Sequence, residues 1–356
     1  MGLVRIHHMN HSGTAFGETE GTNRSFQLQL NQPETVTYSL SLEDQMARVQ
    51  YLEPDVTDFL VYYKGRELCA GMHTEININD VDANQIDVSG RGWLHYFENR
   101  IWPPINRDGS PYIDYSVTDR DIIYIARDLI GYVSGWETPV SLAVYFPYGG
   151  GSGQLMDYDI VAGDDTSTIF EKVSEIAKGH PGFDFEITWN RFFNTYYPQK
   201  GSNRNYVFEQ GVNCGPLGYR NPGNGGNFFW GTALVEGGAA GTQWSWNDVD
   251  VLRRRRKDLV ADFGDAKFQA NLDFLTQGEA ARQVLPIKQL SMEWMGDDRI
   301  ANILDEVSLG DFVQVKGDTV YENVDEWMRV VGMDIQPTDN DEERITFSFD
   351  DGSISL

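Results

Sequence analysis

Cysteine is nearly absent: Cys69 and Cys214 are the only two in 356 residues. Two thiols make neither a disulfide framework nor a Cys-based zinc site. Long apolar runs are missing too. No stretch of about 18 apolar residues occurs, so no transmembrane helix is expected. The opening MGLVRIHHMNHSG lacks the apolar core of a secretory signal. It is no myristoylation signal either, because Ile6 stands where Ser or Thr is wanted. The expectation is a protein that matures in a cytoplasm, or in an assembly built there, without membrane insertion. Positive charge is scarce, with 28 Lys+Arg against 54 Asp+Glu and a net charge of −26. Such a field argues against tight DNA wrapping and against anionic membrane surfaces. It leaves open DNA as a passenger along a wall that does not hold its phosphates.

Aromatic residues are plentiful at 13%, alongside 40% hydrophobic residues. A chain so rich in aromatics folds rather than staying disordered. At roughly 100–200 residues per domain its length suits two or three domains. Residues 1–24 are polar and read as an arm or extended lead-in. Strand patterns then dominate. SFQLQL (Ser25–Leu30), TVTYSLSL (Thr35–Leu42) and NQIDVSG (Asn84–Gly90) alternate apolar and polar residues, and DFLVYYKGREL (Asp58–Leu68) is aromatic and β-branched with a turn at Gly65. The C-terminal DFVQVKG, EWMRVVGMDIQ and ERITFSFDD return to this pattern.

Two helices are expected between these groups. The first carries Thr118 as N-cap, Ile122, Ile125, Ala126 and Leu129 on one face, and Gly131 as its stop. The second is capped by Asp165 or Thr166, striped by Ile169, Val173 and Ile176, and ended by Gly179 and Pro181. A short helix over Trp93–Arg100 and a fourth over Ala270–Leu285, weakened by Gly278, complete the helical content.

Motifs for chemistry fail one by one. His7 and His11 have helical metal-pair spacing, but HHMNH is not helical by pattern and offers no third ligand. Asp80, Asp82 and Asn84 alternate as in a calcium loop, yet Gln85 and Arg91 occupy the places of its glycine and bidentate glutamate. Ser152 in GGGSGQ lacks the nucleophile-elbow context, and EGGAAG lacks the dinucleotide fingerprint. Acidic pairs such as Asp164 and Asp165 arise by chance in so acidic a chain, so they carry no glycosidase assignment. No catalytic residue, metal or cofactor is expected. The clusters RFFNTYYPQKG, NFFWG and TQWSWND suit strand faces or a subunit interface, with a sugar platform as the alternative. Arg253, Arg254, Arg255 and Arg256, followed by Lys257, form the one basic run. It has three readings: a nucleic-acid patch, a solvated loop, or half of an inter-subunit contact. Nucleic-acid patches usually sit in a positive field. A negative surface gains most from an opposite patch on its neighbour, so a subunit interface is the preferred role.

The order of segments resembles the hub-like minor tail proteins of long-tailed phages, especially those of actinobacterial hosts. YYKGREL, VSGRGWLHYFENR and YSVTDRDIIYIARDLI carry the resemblance, followed by GDDTSTIFEKVSEIAKGHPGFDFEITWNR, YPQKG and the three C-terminal strand motifs, over most of residues 35–350. The resemblance implies an α+β, mostly β fold, with two barrel-like β-domains carrying helical insertions. It implies a division into an arm (1–24), a first barrel-like domain (25–115), a helix-containing insert (116–185), a second β-domain with a helix (186–290) and a C-terminal segment closing a barrel (291–356). It implies a homotrimeric tail-tip baseplate hub whose paired barrels form a pseudo-hexameric ring. The implied partners are the distal tail protein or tail-tube ring, the tape-measure protein, other tail-tip proteins, and DNA in transit through the channel. It brings no catalytic residues, and the end at FSFDDGSISL is expected to leave no room for an enzymatic extension. The basic run matches no family motif. The competing readings are a carbohydrate-binding tail protein using Trp244 or Trp246, and a cell-wall hydrolase.

Overall fold

The computed structural model describes residues 3–78, 84–102, 114–134, 142–147, 149–161, 167–179, 182–220, 228–235, 238–245, 258–263, 266, 268–283, 288–297, 300, 302–338 and 343–350, excepting the side chains of 244–245 and 281–283. Its N-terminal part is β1 (Val4–Asn10), β2 (Ala15–Thr19), β3 (Thr22–Gln29), β4 (Thr35–Ser41), the single turn α1 (Val49–Leu52), β5 (Thr57–Tyr63), β6 (Arg66–Asn77) and β7 (Gln85–Gly92). All pair antiparallel, in the order β3-β4-β7-β6-β5-β1-β2. The lead-in expected over residues 1–24 is corrected here. β1 lies between β2 and β5, and Val4, Ile6 and His8 point into the core. The polar residues that suggested an arm are the outward half of an alternating strand. Lys64 and Gly65 both have positive φ, at 51° and 78°, and turn β5 tightly into β6.

A second layer follows: α2 (His95–Glu98), β8 (Tyr115–Asp121), α3 (Ile122–Ser134), β9 (Leu155–Ile160), α4 (Ile169–Ala177), β10 (Asp184–Ile187) and β11 (Phe193–Tyr196). It packs on the outer face of β5 and β6. Phe59, Val61 and Tyr63 enter one core while Leu60, with Ala70, enters another shared with Trp93, Phe97, Leu129 and Val173. A strand covered on both faces needs an unbroken apolar run, which is why DFLVYY does not alternate. The start of α3 differs from expectation. Thr118 lies in β8, and the Asp121 carboxylate caps the helix by accepting the Ile123 N–H at 2.9 Å. The helix also runs through Gly131 to Ser134. In α4 the cap is Thr168. Its hydroxyl accepts the Glu171 N–H at 3.2 Å, and the Glu171 carboxylate accepts the Thr168 N–H at 2.7 Å. Asp165 and Thr166 lie outside the described residues.

The remaining elements are β12 (Asn203–Glu209), β13 (Gly218–Arg220), β14 (Phe228–Val235), β15 (Gly238–Ser245), β16 (Asp258–Asp262), α5 (Gln269–Gln283), β17 (Gln289–Trp294), α6 (Ile303–Glu306), β18 (Phe312–Asp318), β19 (Asn323–Ile335) and β20 (Ile345–Asp350). β19 pairs with β3, so main-chain hydrogen bonds carry the N-terminal strands into β13-β17-β20-β19 and make one thirteen-stranded sheet. One apolar core runs along it from Val4 and Phe26 to Phe208, Phe347 and Phe349. β15-β14-β16 form a separate small sheet, whose inner face covers α5 through Ala233, Leu272 and Leu275. Gly278, a helix weakness by propensity, is needed by packing. A Cβ there would meet the Lys178 carbonyl oxygen at 2.4 Å, where α5 crosses the end of α4.

Candidate functional site

Two charged centres tie the layers together. The first is a cleft of about 600 Å³ where Asp58, Trp93, His95 and Arg191 converge with His11 from the β1–β2 turn. Asp58 opens the buried run of β5, and its side chain is 1% exposed. Arg191, in the turn between β10 and β11, donates to Asp58 Oδ2 at 3.1 Å and to the His11 carbonyl at 3.0 Å. Its guanidinium lies 4.6 Å from the centre of the Trp93 ring. His11 Nδ1 stands 3.5 Å from Asp58 Oδ1. Burial raises the Asp58 carboxyl above the usual range, against the pull of His11 and Arg191. His95 is held from the side by Glu98 at 2.6 Å. Chemically this is a strut: one guanidinium engages a carboxylate, a carbonyl and an indole from three segments.

The second centre sits where β10 meets the C-terminal strands. Asp184 is buried, pairs with Arg329 of β19, and accepts from Asn31 at 2.8 Å and from the Lys200 N–H at 2.6 Å. Asp311 accepts from Arg204 at 2.9 Å and from the N–H groups of Ser202 and Ser308, both at 2.9 Å. Every buried charge here has a partner, as a stable junction demands. Neither Asp58 nor Arg191 stood out in the sequence reading. The signal was present as a lone acid opening an apolar strand and a lone arginine opening the aromatic run RFFNTYY.

The histidines of HHMNH separate. His7 faces Glu18 at 3.1 Å, and His11 belongs to the cleft. His8 is fully buried and stacks on His73 at 5.5 Å between ring centres. Burial lowers His8 to about 4 and His73 to about 3. His73 is held by Tyr38 at 3.0 Å and Thr57 at 2.9 Å, whereas both His8 ring nitrogens lack a hydrogen-bond partner among the described residues. His7 lies on β1 and His11 in the turn that follows it, so they do not form the helical pair their spacing allows.

Arg253, Arg254, Arg255 and Arg256 lie outside the described residues, as do Asp80, Asp82 and Trp246. The Trp244 side chain is likewise not described. The aromatic clusters split between core and surface: Phe193 and Phe229 are buried, while Trp230 is partly exposed on the outer face of β14.

No protein-family model matches this chain, and no curated protein matches its sequence. Solved structures do match, end to end. A tail protein from Neisseria meningitidis superposes with a TM-score of 0.67, over 99% of this chain and 97% of that one, at 12% identity. This protein has the fold of phage tail proteins. The same tail-protein fold recurs in the 43 kDa tail protein of prophage MuSo2 from Shewanella oneidensis, with a TM-score of 0.63 over 97% and 98% of the two chains at 12% identity. It recurs in a prophage tail protein from Listeria monocytogenes, with a TM-score of 0.57 over 99% and 95% at 12% identity. The mostly β architecture read from the sequence is the one observed.

Proposed function

We propose that this protein is a structural component of a phage tail tip, a baseplate hub of the long-tailed type with no enzymatic activity. The observation that carries the proposal is the near-complete mutual coverage with the Neisseria tail protein, without a large unmatched segment on either side. In this reading three copies associate. Each contributes two barrel-like β-units, so the trimer presents a pseudo-hexameric ring to the tail tube and a three-fold face to the tip. The ring surrounds the path of the tape-measure protein and then of DNA. The protein is assembled in the host cytoplasm and resides in the virion, against the distal tail protein or tube ring and other tip proteins. A net charge of −26 supports the conduit role, because phosphates find no general attraction on such a wall.

Sedimentation velocity on the purified chain is expected to show a trimer, and electron microscopy of tail tips a ring of three copies. A monomer at high concentration, with no ring in the tips, would sink the proposal.

A further inference from the structure

The cleft at Asp58 has features that a strut alone does not need. Asp58 and Trp93, each 1% exposed, lie at its floor, and the exposed Asp55 and Asn99 lie at its rim. We infer that this cleft binds a neutral saccharide, a short oligosaccharide held through adjacent hydroxyls. The inference goes beyond the structural role proposed above and does not depend on how many copies associate.

Three observations point to a ligand of this class. The first is an unmet acceptor. Asp58 Oδ1 is buried, and no hydrogen-bond donor reaches it among the described residues. His11 Nδ1 is 3.5 Å away, beyond the usual length of such a bond. A buried acceptor left in that state costs about 1–3 kcal/mol, and a ligand hydroxyl entering the cleft removes the cost. A donor lies beside it. The bonds from Arg191 to Asp58 Oδ2 and to the His11 carbonyl both use Nη2, so Nη1 keeps its N–H groups for a ligand. An acceptor next to a donor suits a sugar, because each hydroxyl both donates and accepts. Trp93 and Asp58 already fix the guanidinium, so little ordering remains for binding to impose.

The second is charge. Besides the imidazoles of His11 and His95, the lining carries two carboxylates, Asp55 and Asp58, and two guanidiniums, Arg100 and Arg191. In a chain with a net charge of −26 this is a locally balanced place, so neither a cation nor an anion gains much from it. A neutral polar ligand meets both signs at once.

The third is size and surface. The cleft's volume of about 600 Å³ falls within the range of small-ligand sites, about 300–1,000 Å³. Met72 and the Tyr96 ring give it apolar wall, and Thr74 and Asn99 add neutral hydrogen-bonding groups. Sugar rings present C–H faces to such walls and hydroxyls to such groups, which is the mixed lining that orients a small ligand.

The test uses the full chain, with maltotriose, cellotriose and chitotriose as probes and saturation-transfer NMR and calorimetry as readouts. At least one of the three is expected to bind saturably. Asp58→Asn turns its amide oxygen to Arg191 and puts an NH2 where the free acceptor stood, so affinity is expected to fall roughly tenfold or more. Asn99→Leu, at the rim and outside the Asp58–Arg191 pair, is expected to weaken binding several-fold and serves if Asp58→Asn does not fold, which circular dichroism reports. Trp244→Ala is expected to change nothing. Failure of all three sugars to bind well into the millimolar range overturns the inference. So does binding that neither cleft variant weakens, or binding lost in Trp244→Ala, which would move the sugar to the other aromatic cluster. Trilysine occupying the cleft in place of every sugar overturns it as well. None of these outcomes bears on the trimer, which sedimentation reads separately.

Discussion

At the scale of single residues, His8 and His73 make the fold sensitive to acid. Both are buried and neutral, with folded pKa values of about 4 and 3 against 6.5 when exposed. The unfolded chain therefore binds protons below pH 6.5 that the folded chain refuses until pH 4 and then 3. Their contribution to stability is complete above pH 6.5 and is lost as pH falls through the folded values. Asp44 pulls His8 upward while His7 pushes it down, and neither offsets burial. Replacing His8 by Phe removes two buried nitrogens without partners and one of the two titrations. The expected result is an unchanged or higher melting temperature at pH 7 and a shallower fall between pH 6.5 and 4, read from melts across that range. The Asp184–Arg329 pair is the opposite case, since both groups are buried and satisfied. Arg329→Met strands the carboxylate, at a cost of about 3–5 kcal/mol in chemical denaturation. Arg329→Met with Asp184→Leu should recover a large part of that loss. A double variant no better than the single one would show that the remaining hydrogen bonds, not the charge, hold the junction.

At the scale of elements, α5 separates propensity from packing. Alanine in place of a mid-helix glycine normally gains about 1 kcal/mol. At Gly278 the added methyl meets the Lys178 carbonyl and the Gly179 backbone, at 2.4 and 2.9 Å. Gly278→Ala is therefore expected to destabilise by roughly 1–3 kcal/mol, the usual cost of overpacking. A denaturation midpoint above that of the wild type would refute the close crossing of α4 and α5. The cap of α4 is an independent element. Thr168→Ala removes one half of a reciprocal pair of hydrogen bonds and should cost about 1 kcal/mol, with Thr168→Ser keeping most of the stability.

At the scale of the whole molecule, the charge governs what the surface repels. With 54 acidic and 28 basic residues, duplex DNA is expected to migrate unshifted in the presence of the protein even at low salt. A shift abolished by reversing Arg253–Arg256 would instead place the run against DNA. One sheet passes from the N-terminal strands to the C-terminal ones through β3 and β19, and the struts at Asp58 and Asp184 brace the second layer against it.

Much of this was legible in the chain. The strands of the C-terminal motifs and NQIDVSG fell where alternation put them, because a period of two survives any arrangement of neighbours. The stripes of α3 and α4 match expectation because the helical period of about 3.6 is equally local. The start of α3 was not, because whether Thr118 caps a helix or continues a strand depends on β9 pairing alongside β8. The placement of β1 was hidden because its partner β5 lies some fifty residues away in the chain.

The sequence by itself determined the β-rich class, the surface charge and the helix faces, all of which follow from composition and local periodicity. Only the tertiary structure decided that DFLVYY is covered on both faces, that His8 is buried while His11 is not, that Arg191 serves Asp58, and that Gly278 sits where α5 closely meets the end of α4. Those are contacts between distant segments, and no local pattern encodes which distant surface a residue will meet.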